Sequence, residues 1–183
     1  MIGLLLTLLA CTGDPVDTSD EAVDPCFVDE PTLTIGSGEY KWEDLSEGDE
    51  VEMVHGPQGG WHMLGSARIA HTESVVRIRF NIWLKDSGLV ISENAYTVQM
   101  IRDQDCSGFY PGMYGYINYK EFREDEDDTP PTMYGYQTVV MEMNATDLDN
   151  RTATTTLEVI AVPDPVDLKS DDTKKDGDTG SID

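Results

Sequence analysis

Ser74-Val-Val-Arg-Ile-Arg-Phe-Asn-Ile-Trp-Leu-Lys85 decides the fold class. Val76, Ile78, Phe80, Ile82 and Leu84 share one parity, and Arg77, Arg79 and Asn81 the other. Successive side chains of a strand point to opposite faces, so this alternation marks a strand with one buried face. The same period recurs on both sides of it. Val51 and Met53 alternate with Glu50 and Glu52 upstream, and Ala95 to Arg102 is a shorter candidate. Val139, Met141 and Met143 alternate with Glu142 and Asn144, and Leu157, Val159 and Ala161 flank Glu158 in a β-branched stretch. No window shows the apolar spacing of a helix. Strands arriving about every eight to twelve residues between turn signals predict an all-β domain, a single antiparallel β-sandwich.

Charge narrows the function classes. The 183 residues hold 36 Asp plus Glu against 12 Lys plus Arg, a net charge of −24. Nucleic acid is excluded as a charge-driven partner, because a polyanion is repelled and no basic patch exists to release counterions. Anionic lipid is disfavoured for the same reason. Residues 12–31 carry seven acids and no base, and residues 163–183 carry seven acids, three lysines and little that is apolar. Such segments self-repel and bury little, so 11–31 reads as an acidic tether and 163–183 as a disordered acidic tail. The sandwich occupies 32–162.

The chain opens Met1-Ile-Gly-Leu-Leu-Leu-Thr-Leu-Leu-Ala-Cys11. This apolar run is too short to span a bilayer, which takes roughly 20 residues, and fits the apolar region of a secretory signal. Leu8-Leu9-Ala10-Cys11 resembles the lipobox of bacterial lipoproteins. The resemblance implies a signal peptide over 1–10, a lipidated Cys11 and anchoring to a membrane through acyl chains. Thr12 is not the aspartate that family associates with inner-membrane retention, so the implied location is the outer membrane of a Gram-negative bacterium. Asn144 to Thr152 and the Thr/Val strand after it are similar to the last hairpin of immunoglobulin-like domains in bacterial surface proteins, which implies an immunoglobulin-like fold.

Cys26 and Cys106 remain once Cys11 is assigned to lipid. In an exported chain the simplest arrangement pairs them, stapling the tether to the loop Asp103 to Ser107; the alternative is two free thiols. No Cys-x-x-Cys occurs, so the pair reads as architecture.

Three groups are candidates for binding. His55-Gly-Pro-Gln-Gly-Gly-Trp61-His62 places two histidines around a glycine turn, and with Met53 and Met63 near them copper is conceivable; a tight hairpin is the simpler reading. Glu124, Asp125, Asp127 and Asp128 belong to an acidic run that would offer oxygens to Ca²⁺, but no calcium-loop glycine pattern accompanies them and solvated surface charge is the simpler reading. Met113-Tyr-Gly-Tyr116 recurs as Met133-Tyr-Gly-Tyr136. If both copies are strands, Tyr114, Tyr116, Tyr134 and Tyr136 share one outer face, fit to stack on sugars or dock an envelope protein, or simply to pair across the hairpin. There is no nucleophile elbow, phosphate loop or His-x-x-x-His pair. The resulting expectation is a lipid-anchored, non-catalytic binding or structural module without a cofactor. The alternatives are a calcium- or copper-binding lipoprotein and a hydrolase with an unrecognised carboxylate site.

Overall fold

A computed structural model describes residues 24–104 and 106–168. Cys11, the leader and most of both acidic arms lie outside the described residues. Ten strands run in chain order: β1 Thr32–Ser37, β2 Glu43–Asp44, β3 Glu50–His55, β4 Trp61–Ala70, β5 Val75–Leu84, β6 Val90–Gln99, β7 Ile101–Gln104, β8 Ser107–Tyr116, β9 Thr138–Asp147 and β10 Thr152–Pro163. A short α-helix, α1, spans Pro130–Tyr134, and a 3-10 turn spans Pro25–Phe27. The candidate strand at 95–102 is the end of β6, which starts earlier, and the start of β7.

The all-β character is as expected, but the arrangement corrects the sandwich. Instead of two hydrogen-bonded sheets there is one, ordered β2-β1-β4-β3-β10-β9-β5-β6, with β8 on the other edge of β4 and β7 beyond it. It is mixed rather than antiparallel, because β3 and β10 run parallel from Glu50↔Ile160 to Met53↔Pro163. A parallel pair needs a long crossover, and everything between His55 and Thr152 supplies one. One edge of β4 is shared, with β3 along Trp61–Met63 and β1 along Ser66–Ala70. Register shifts between Gly65 and Ala67 and between Ile82 and Trp83 add to the twist of long strands. The sheet therefore curls into a half-barrel that encloses its own core. Its far ends approach each other: Tyr96 Oη on β6 donates to the Tyr114 carbonyl on β8 at 2.5 Å, and Asn118 N donates to the Ile91 carbonyl at 2.7 Å.

The inward parity is the one read from sequence. Val76, Ile78, Phe80 and Ile82 are fully buried, as are Met53, Met63, Met113, Met141 and Met143 from the facing strands. Two glycines admit the largest of these side chains. A Cβ on Gly65 would lie 2.7 Å from Phe80 Cζ, and one on Gly115 would lie 2.6 Å from Ile82 Cδ1.

Both ends of the domain are pinned. Cys26 and Cys106 form a disulfide. Beside it the Arg151 guanidinium lies 5.5 Å over the Phe27 ring and donates to the Asp29 carbonyl. At the other end, Asp164 and Asp167, just beyond β10, bond to His55 of β3 and Trp61 of β4. Asp164 is buried; its carboxylate accepts from Val166 N at 2.8 Å and from His55 N at 3.0 Å. Asp167 accepts from Trp61 Nε1 at 2.7 Å and lies 2.8 Å from His55 Nδ1.

Those two backbone donors, Val166 first and His55 second, hold the Asp164 carboxyl below the usual aspartate range. The charged form is thus favoured by folding. Its contribution is complete above the unfolded pKa and is lost as pH falls through the lower folded value. Asp164→Asn is expected to cost about 1 kcal/mol at pH 7. The melting-temperature gap from wild type should shrink on acidification below the ordinary aspartate range. A gap unchanged by acid would show that the carboxylate charge is not the source.

Candidate functional site

The outer face of β3, β4 and β8 carries an aromatic cluster. Alternation points His62 and Leu64 of β4 outward, and β8 sets Tyr116 opposite His62 and Tyr114 opposite Leu64. On the other side Val54 of β3 is paired with His62. Tyr114 and Tyr116 stack at 5.8 Å between centroids with planes 19° apart. The His62 imidazole meets them edge-on, at 4.6 Å from Tyr114 and 6.0 Å from Tyr116. Such offset and edge-to-face geometries are those aromatic rings prefer. The glycine turn at 56–60 rises beside the cluster, and the Glu39 loop closes the opposite side. That loop passes so close to β8 that a Cβ on Gly112 would lie 2.4 Å from the Glu39 carbonyl. Between these walls is a cavity of about 700 Å³.

Burial lowers the His62 pKa, against a smaller raising effect of Glu39, so the ring is neutral at pH 7. Burial raises the Tyr114 pKa, with Glu39 adding to it; Tyr114 Oη sits 3.4 Å from Glu39 Oε1. The cavity thus presents neutral aromatic faces and one carboxylate. Among the described residues its lining contains no serine, threonine, cysteine, lysine or arginine.

The other half of the tyrosine expectation is corrected. Tyr114 and Tyr116 share the outer face, but the second Met-Tyr-Gly-Tyr is not a strand. Pro130 and Pro131 fix φ at a helix start, Thr129 N donates to Thr132 Oγ1 at 2.9 Å, and Gly135 N donates back to Pro131 O. Tyr134 is therefore drawn into the core at 2% exposure, whereas Tyr136 stands in the turn beyond it at 66%. The repeat is one of letters, overruled by the flanking prolines.

His55 and His62 do not form a metal pair. His55 is cross-strand partner to Trp61, and His62 to Val54, so the imidazoles leave opposite faces of the β3–β4 hairpin. His55 stacks on Trp61 at 4.4 Å and is engaged by Asp167. In the acidic run, Asp128 Oδ2 accepts from Glu124 N and Asp125 N, both at 3.0 Å, which makes it the closing bond of a turn; Asp127 is exposed. Among the described residues no group of three or more His, Cys, Asp or Glu is placed to hold a metal ion.

Sequence reading missed Val54, Leu64 and Glu39. Val54 and Leu64 did leave a signal, since each is an apolar residue on the polar parity of its strand. Glu39 left none, being placed by a loop contact.

No family model matches the chain, and no curated protein matches it. Among solved structures it is similar to the CooA pilin subunit from enterotoxigenic Escherichia coli, with 11% identity and a TM-score of 0.37 over 75% of this chain and 100% of that one. That likeness is too slight to transfer a residue or a role. Among the described residues no helix is long and apolar enough to cross a membrane.

Proposed function

We propose that the chain is a lipid-anchored, extracytoplasmic binding module of the bacterial outer membrane, without catalytic activity, and that the aromatic cavity on β3, β4 and β8 is its ligand face. The observation that carries the reading is the His62, Tyr114 and Tyr116 cluster beside an open cavity of about 700 Å³. Exposed rings at a cavity have apolar area still to bury and hydroxyls to bond at the rim, which is the anatomy of a recognition surface. Among the described residues the lining of this cavity holds no alcohol or thiol apart from tyrosine, which favours binding over nucleophilic catalysis. The Leu8 to Cys11 lipobox resemblance supports the anchor, and a Cys26–Cys106 bridge suits an oxidising compartment.

Paired Tyr114→Ser and Tyr116→Ser is expected to reduce retention on isolated envelope, cell wall or glycans by more than about 1 kcal/mol, roughly fivefold or more, with little change in melting temperature. Unchanged retention with a lowered melting temperature would make the cluster structural and remove the ligand face. In the same cells, labelled palmitate should enter the wild type and not Cys11→Ser, which should move to the soluble fraction; equal labelling would remove the anchor.

A further inference from the structure

The aromatic cavity does not end at Leu64. A second, smaller one of about 250 Å³ adjoins it and shares Glu39, Val54 and Leu64 with it. The two differ in chemistry. The first is walled by rings; the second gathers the carboxylates of Glu39, Glu43, Glu50 and Glu52 around an apolar floor. Among the described residues Glu43 alone of these four has a cationic partner, Lys41 Nζ at 3.4 Å on the exposed rim. The trough therefore grades from aromatic to anionic, over apolar side chains, and among the described residues neither lining contains a lysine or arginine.

Building on the ligand face proposed above, we infer that this trough receives an extended basic peptide segment of a partner protein. Its lysine or arginine heads would meet Glu39, Glu50 and Glu52, while their methylene stems lie on Val54, Leu64 and the Tyr114 ring. Three features favour this occupant. Long cationic side chains are amphipathic along their length, as the trough is. Ring faces attract cations as carboxylates do, so the aromatic end reinforces the anionic end. A cavity of several hundred Å³ continued by a second one fits several residues, not a single ammonium group. Glu52 shows the opportunity locally. Burial raises its pKa and nearby Asp164 raises it further, so its charged form lacks compensation that an arriving cation would provide. The net charge of −24 would steer a basic partner from a distance, but only the trough distinguishes this face from the rest of an acidic surface.

The test is calorimetric titration of the whole chain at about 0.15 M salt, where long-range attraction is largely screened. The probes are the peptide acetyl-Lys-Leu-Lys-Leu-Lys-amide, the same peptide with its lysines acetylated, and spermidine. The variants are Glu50→Gln with Glu52→Gln in the trough, and Glu124→Gln with Asp125→Asn in the distant acidic run, each checked for an unchanged melting temperature. The unmodified peptide should bind and the acetylated one should not. The trough pair should weaken binding about tenfold, and the distant pair by less than about twofold. Equal weakening by both pairs would reduce the effect to general charge and overturn the inference. Spermidine binding as tightly as the peptide would overturn the peptide as occupant. If no probe binds while the paired tyrosine variant still loses envelope retention, the ligand face stands and its basic specificity falls. If the tyrosine variant loses nothing, the ligand face itself is gone.

Discussion

Cys26→Ser with Cys106→Ser is expected to lower stability by roughly 4 kcal/mol and the melting temperature by on the order of 10 °C. The size follows from the 80-residue separation of the bridged cysteines, because a cross-link removes more freedom from an unfolded chain the longer the loop it closes. Its position adds a second reason. Thr32 of β1 pairs with Ala70 of β4 on one edge, and Ala70 pairs with Ser107 of β8 on the other. Cys26 precedes the start of β1 and Cys106 directly precedes β8, so the bridge ties together the two strands that flank the end of β4. His71 N donates to the Cys106 carbonyl at 2.8 Å within this knot. Without the bridge the segment at 24–31 is held chiefly by Arg151 on Phe27 and Asp29, and that end of β1 and β8 should lose amide-exchange protection before β5 and β9. Chemical denaturation of the double serine variant measures the loss. A midpoint equal to wild type would show that the bridge constrains nothing.

How much of this was written in the sequence depends on the range of the interaction. The parity of Val76 to Leu84 is local and survives intact, because burial of one face dominates a strand's free energy and a slip of one residue would expose the whole set. The outer positions of Tyr114 and Tyr116 follow from the same parity. The closure of the sheet was not legible. Two sheets or one curled sheet bury the same alternating residues, and the choice rests on a parallel β3–β10 pairing across more than a hundred residues and on two register shifts that no spacing announces. The tyrosine repeat fails for an opposite reason, since the deciding residues are local: Pro130 and Pro131 commit the second copy to a helix. The acidic composition of the C-terminal arm concealed Asp164 and Asp167, whose carboxylates find backbone and indole donors only once β3 and β10 are side by side. The trough has the same origin. Val54 and Leu64 signal it as apolar residues on polar faces, but Glu39 arrives from a loop that only the folded chain brings to β8.

Phe80 is where the curled sheet is held shut, and Phe80→Ala is expected to cost about 4 kcal/mol. The ring leaves β5 fully buried and ends on the backbone of the opposite wall, where Gly65 of β4 and Gly115 of β8 offer no side chain. Reversing the size relation is predicted to hurt as well. Gly65→Ala would set a Cβ 2.7 Å from Phe80 Cζ and 2.8 Å from Met143 Cε, closer than carbon atoms approach, at a cost of about 2 kcal/mol. The two substitutions should not be additive. With the ring gone, two of the three nearest atoms are removed, and the third, Met143 Cε, ends a flexible side chain that can turn away. The double variant should therefore be more stable than the sum of the singles by more than about 1 kcal/mol. Gly115→Ala provides the internal control, because its Cβ would lie 2.6 Å from Ile82 Cδ1 and only 3.1 Å from Phe80 Cε1, so removing Phe80 leaves its main clash in place. Urea denaturation of the five variants gives both coupling energies. Strong coupling at 65 with weaker coupling at 115 is the signature of a ring closing one sheet onto itself. Additivity at both sites would mean that β5 does not face β4 and β8 through Phe80, and the half-barrel would have to be redrawn.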